Sequence, residues 1–103
     1  MTTIVVVTTV GSKEEAHRIA YELVERRLAA CAHIEKIDSV YAWKGKIETG
    51  EEYRVLFKTV EARYDAVERA IRELHSYELP AIHAVDVSRI SAPYAAWFEE
   101  NAA

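Results

Sequence analysis

The chain has 103 residues, 50% of them hydrophobic and 29% charged, with only 3 glycines and 2 prolines, so it forms one folded domain over residues 1–103 and leaves no material for linkers or low-complexity tracts. Thirteen Lys and Arg against 17 Asp and Glu give a net charge of -4, which argues against binding along a nucleic-acid backbone. No apolar run approaches the ~18 residues of a membrane span, no export signal is visible, and the single cysteine, Cys31, suits a reducing cytoplasm.

Ile4 to Val10 is a β-branched run without a polar face, which predicts a strand covered on both sides and ending at Gly11. Ser12 with Glu15 forms a capping box, so a helix is expected from Lys13. Ala16, Ile19, Ala20, Leu23 and Val24 mark its buried face, and the charges between Glu14 and Arg27 mark a solvated one.

Beyond Leu28 the period changes to two, with Ala30, Ala32 and Ile34 alternating against Cys31, His33 and Glu35. A bulge is expected near Lys36 to Asp38, and the strand resumes over Val40 to Trp43. Lys44 and Gly45 predict a two-residue hairpin turn into a return strand with Tyr53, Val55 and Phe57 on one face. An unbroken register would set Glu35 opposite Arg54, His33 opposite Leu56 and Cys31 opposite Lys58; a second bulge at Thr49 to Glu51 would shift it.

Glu61 to His75 predicts a second helix facing inward through Tyr64, Val67, Ala70, Ile71 and Leu74. Ile82 to Ser88 reads as a short last strand. Ser91 and Pro93 open a final helix carrying Tyr94, Trp97 and Phe98 on one side, before a frayed tail. The order is that of an α+β, ferredoxin-like βαββαβ antiparallel sandwich with an extra C-terminal helix. Such a fold leaves one sheet face bare, which favours a homo-oligomer over a monomer with an apolar patch.

No phosphate loop, nucleophile elbow or paired-cysteine motif is present, so no enzyme activity is expected. Cys31 and His33, two apart on a strand, point to one side, where a thiolate and an imidazole could reach one soft ion such as Cu(I) or Zn(II). The plainer alternative is a small buried cysteine beside a contact histidine. His75, Tyr77 and Glu78 at a helix-to-strand turn could line a cleft as ligands or proton-transfer groups, or His75 could merely cap the helix while Pro80 sets the turn. Trp43 anchors the hairpin or inserts into a neighbouring subunit. His17 and His83 carry less information.

Arg27 to Cys31 (RLAAC), Ser39 to Glu48 (SVYAWKGKIE), Phe57 to Thr59 (FKT) and then His75, Tyr77 and Glu78 resemble the CutA divalent-cation tolerance family, in order and over nearly the whole chain. The resemblance implies a homotrimer built like the PII signalling proteins, its long hairpins pairing across subunits. It implies clefts between subunits lined by Cys31, Trp43, Lys58, His75, Tyr77 and Glu78, binding copper or another divalent ion, with no cofactor required. Members with proposed copper ligands resemble this chain at His75 but carry cysteine where Thr8 stands and histidine where Leu74 stands. His33, usually Asn in the family, would restore a ligand beside Cys31, and Ser76 replaces a proline. A PII-like module binding a small anion through Lys58 and Lys44, or a partner protein, is the alternative.

Overall fold

Threonine and valine lose little rotamer freedom in an extended chain, and Thr3–Val10 forms strand β1 in the middle of a four-stranded antiparallel sheet. The computed structural model describes residues 2–103. After helix α1 (Lys13–Glu25) come the long strands β2 (Cys31–Trp43) and β3 (Lys46–Val60). Helix α2 (Tyr64–Leu74), strand β4 (Ile82–Asp86) and helix α3 (Ala92–Asn101) complete the chain. The strand order β2-β3-β1-β4 is that of the ferredoxin-like sandwich with an added helix, as the sequence predicts.

One face of the sheet packs on α1 and α2. Ile4, Val6 and Val10 of β1 and Val55 and Phe57 of β3 meet Ile19 and Leu23 of α1 and Val67 and Ile71 of α2 in a single core cluster. Each such side chain contributes about 1.5–3 kcal/mol by leaving water. Val7 and Thr3, on the opposite side of β1, are also buried, so β1 is covered on both faces as its lack of polar positions predicts.

The β2–β3 register is unbroken. It runs from Cys31 opposite Lys58, through His33–Leu56 and Glu35–Arg54, to Trp43 opposite Lys46. The bulges expected near Lys36 to Asp38 and Thr49 to Glu51 are absent. Lys44 and Gly45 both have positive φ, +50° and +81°, the combination whose twist matches that of the strands it joins. Cross-strand pairs then hold the ladder where a bulge was expected, Lys36 Nζ lying 3.2 Å from Glu51 Oε2 and Arg54 Nε 2.6 Å from Glu35 Oε1. β1 pairs with β3 only as far as Val10–Tyr53, so the remainder of the hairpin projects beyond β1 as a two-stranded arm. The molecule is correspondingly long, 44 × 25 × 21 Å.

Three further boundaries differ from expectation. The segment before α2 starts with one 3-10 turn, Glu61–Arg63, and His75 lies outside the helix in extended backbone. β4 stops at Asp86, although the Val87 amide still donates to the Thr3 carbonyl. The C-terminal tail is pinned rather than frayed. Ala102 is buried, Arg63 Nε donates to its carbonyl, and Arg27 donates to the carbonyls of Glu100 and Ala103. Two arginines thus satisfy carbonyls that the end of α3 leaves without helical partners.

Candidate functional site

Ser12 caps α1 by accepting from the Glu15 amide at 3.1 Å, which is half of the expected capping box. The other half is diverted. Glu15 turns its carboxylate to Ser76, accepting from the amide and the hydroxyl at 2.9 Å each. The segment following α2 is therefore fastened to the first turn of α1.

His75 fastens it to β1. Its imidazole is fully buried, with Nε2 2.7 Å from the Thr9 carbonyl oxygen and Nδ1 3.0 Å from the Tyr77 amide. A carbonyl only accepts and an amide only donates, so the ring is neutral, protonated on Nε2. Both ring nitrogens are occupied. The Glu15 carboxylate stands 3.8 Å from Nδ1.

The chain then delivers Tyr77 to the arm. Its hydroxyl donates to Glu52 Oε2 at 2.8 Å, and its ring tilts against His75 at 4.8 Å between centroids. Desolvation, then the hydrogen bond to Glu52 and the negative charge there, push the Tyr77 pKa well above the ordinary phenol value. Gly11 permits this approach, because a Cβ there would lie 3.2 Å from the Tyr77 hydroxyl. One residue on, Glu78 sits 3.5 Å from Lys44 Nζ, which also stands 5.4 Å from the centroid of the Trp43 ring.

Between arm and segment lies a cleft of about 840 Å³. Trp43, Tyr41, Val40, Leu79 and Pro80 form its apolar wall, and Asp38, Glu52 and Glu78 its charged groups. Neither lysine nor arginine lines it.

Of the residues expected in a cleft, Trp43, Tyr77 and Glu78 come together here, and His75 stands behind them. Lys58, Cys31 and His33 do not join them. Cys31 and Lys58 pair across the strands near the opposite end of the sheet, on the face that α3 covers. Tyr94 of α3 is neighbour to Cys31, and burial first, then the nearby thiol, raises the tyrosine pKa. His33 borders a second, broader groove between α1 and β2, together with His17, Tyr21 and Lys36. Nowhere among the described residues do three His, Cys, Asp or Glu side chains gather as a metal site would need.

Glu52, Glu15 and the Thr9 carbonyl are parts of the site that sequence reasoning missed. Gly11 left the only signal, a glycine closing a strand just before the segment's contact.

An α+β sandwich with a projecting hairpin and a cleft along it defines the class of protein. The family model described as CutA1 divalent ion tolerance protein matches residues 4–101, and the chain belongs to that family. The divalent-cation tolerance protein CutA of Thermococcus kodakarensis is 35% identical over 97 residues, spanning 94% of this chain and 93% of that protein. Its counterpart in Archaeoglobus fulgidus is 38% identical over 93 residues, 90% of this chain and 91% of its own. The solved structure of the periplasmic divalent cation tolerance protein CutA from Archaeoglobus fulgidus superposes with a TM-score of 0.96 at 35% identity, covering 98% of this chain and 99% of that one. CutA1 from Pyrococcus horikoshii gives 0.92 at 35% identity, covering 95% and 96%. These relatives are named for ion tolerance and not for a reaction. Among the described residues no helix is long and apolar enough to cross a membrane.

Proposed function

We propose that this chain is a cytoplasmic, homotrimeric divalent-ion tolerance protein that binds copper or another divalent ion in clefts between subunits and catalyses no reaction. The observation that carries the reading is the cleft along the arm, walled by Asp38, Glu52 and Glu78, of which Glu78 alone meets a lysine, Lys44 at the rim. A wall of that charge favours a cation over an anion. Apolar side chains left bare in one subunit away from the cleft support an oligomer: Ile47 on the arm is 72% exposed and Val85 on the edge strand 53%.

The ligands in this reading are His75, Cys31 and His33, with Trp43, Lys58, Tyr77 and Glu78 lining the seams. A single subunit keeps Cys31 and His33 away from the arm cleft, so a site with three or four donors must draw on a neighbour. His75 takes part only by surrendering its bond to Thr9 or to Tyr77. The carboxylate wall speaks against the alternative, a PII-like module that binds a small anion there.

Calorimetric titration with Cu(II) and Zn(II), beside a Cys31→Ser, His75→Ala variant, tests the ligand assignment; undiminished binding by the variant refutes it. Light scattering tests the assembly, which requires three times the 11.7 kDa of one chain.

A further inference from the structure

We propose that the cleft between the hairpin arm and residues 77–81 binds a small organic cation, an ammonium or guanidinium group carried on an apolar body. The inference names a ligand class for the same cleft as the reading above, and rests on that cleft being open in the assembled protein. It does not rest on copper.

A metal ion requires three or four donor atoms around one point, and the described residues gather no such set. An organic cation requires less. One carboxylate for the charge and an apolar or aromatic wall for the rest of the molecule suffice. Glu52 supplies the carboxylate. It is half-buried, and the bond from the Tyr77 hydroxyl to Oε2 fixes its orientation. Tyr41, Trp43 and Leu79 supply the wall. Asp38 adds negative charge, Glu78 being offset by Lys44, so a carboxylate or phosphate entering the cleft beside Glu52 meets repulsion.

Lys44 shows the same chemistry inside the protein. Its ammonium stands 5.4 Å from the Trp43 ring centroid and 3.5 Å from Glu78, an aromatic face and a carboxylate holding one cation at the rim. Glu78 is 73% exposed there, which screens the pair. Glu52 offers an equivalent carboxylate with less water around it, where the attraction is stronger.

The test uses one ring with three charges: benzylammonium, benzyl alcohol and benzoate. The chain has two tryptophans, so Trp97→Phe leaves Trp43, in the cleft wall, as the fluorescent reporter. Titrations in EDTA keep this result separate from metal binding. Benzylammonium should change the Trp43 emission saturably, at least tenfold more weakly in Glu52→Gln, and benzyl alcohol and benzoate should not. Tyr41→Ala, which keeps the carboxylate and removes part of the wall, should also weaken binding, and serves if Glu52→Gln fails to fold. Equal binding of benzoate or benzyl alcohol, absence of saturation with benzylammonium, or indifference to both substitutions overturns the proposal. A lysine from a second copy would satisfy the same groups. In that case the apparent affinity for benzylammonium falls as protein concentration rises, which likewise overturns a site for a free ligand. A failed copper titration leaves the benzylammonium result standing, and the reverse also holds.

Discussion

The imidazole of His75 is bonded through Nε2 to the carbonyl oxygen of Thr9, 66 positions earlier, at 2.7 Å, and this bond sets where the cleft segment lies. With Nδ1 accepting from the Tyr77 amide, the buried ring joins β1 to the residue that reaches the arm. His75→Ala removes both bonds and leaves a void. A loss of about 2–4 kcal/mol is expected, read from urea unfolding. Nitrogen NMR of the ring at neutral pH should show the neutral form with the proton on Nε2. A proton on Nδ1 would contradict the bonding described.

Tyr77 makes stability depend on alkaline pH. Its pKa in the fold lies above the ordinary 10.0, so the unfolded chain ionises first. The stabilisation is complete below about pH 10 and declines as pH rises beyond it. Tyr64 and Tyr94 are raised as well and act in the same direction. Urea midpoints measured from pH 8 to 11 should therefore fall, and fall less steeply in Tyr77→Phe. An identical slope in the variant would mean that neither burial nor the bond to Glu52 holds the Tyr77 hydroxyl protonated.

Much of the scaffold was legible because it is written in local periods. The alternation of Ala32 and Ile34 with Cys31 and His33, and the turn at Lys44 and Gly45, fix the register without knowledge of the rest of the chain. The expected bulges failed for a physical reason. Polar residues at Lys36 and Asp38 interrupt the apolar alternation because the strand runs out past the helices there, where no core enforces a pattern. The cleft was legible only in part. Trp43, Tyr77 and Glu78 stood out by residue type, but Glu52 is one of 17 acidic residues, and no period links it to a tyrosine 25 positions away. Cys31 and His75 belong to different ends of the sheet, a separation that strand spacing cannot reveal.

The hairpin turn offers a clean measure of backbone cost. Gly45 has φ of +81° and open space where a Cβ would stand, so Gly45→Ala pays only for the left-handed conformation. A loss of about 1 kcal/mol is expected by chemical denaturation. Gly50 also has open space but an ordinary φ, and Gly50→Ala should cost nothing or stabilise slightly. Equal losses at both positions would rule out turn geometry as the cause.

α3 guards Cys31. Tyr94 is neighbour to its thiol, Phe98 is buried, and Arg27 and Arg63 hold the carbonyls at the helix end. Removing both guanidinium groups, in Arg27→Ala with Arg63→Ala, frees those carbonyls and loosens the last turn. Labelling of Cys31 by a thiol reagent should then be several-fold faster in the intact assembly. An unchanged rate would show that Phe98 and Tyr94 hold the helix without the arginines.

Among the described residues, Thr8 alone buries a side-chain polar atom without a partner. It lies on the helix-packed face of β1, in line with Val6 and Val10, and is fully buried. Its Oγ1 is the only buried side-chain nitrogen or oxygen among the described residues that lacks a hydrogen-bond partner. Desolvating a hydroxyl without a bond costs free energy that valine, of nearly the same shape, does not lose. Thr8→Val should raise the unfolding free energy by about 1 kcal/mol, measured by urea denaturation. The gain should be independent of metal, because Thr8 makes none of the contacts that shape the cleft. If Thr8→Val instead destabilises the protein, the hydroxyl has a partner, and the residue joins the site from behind β1.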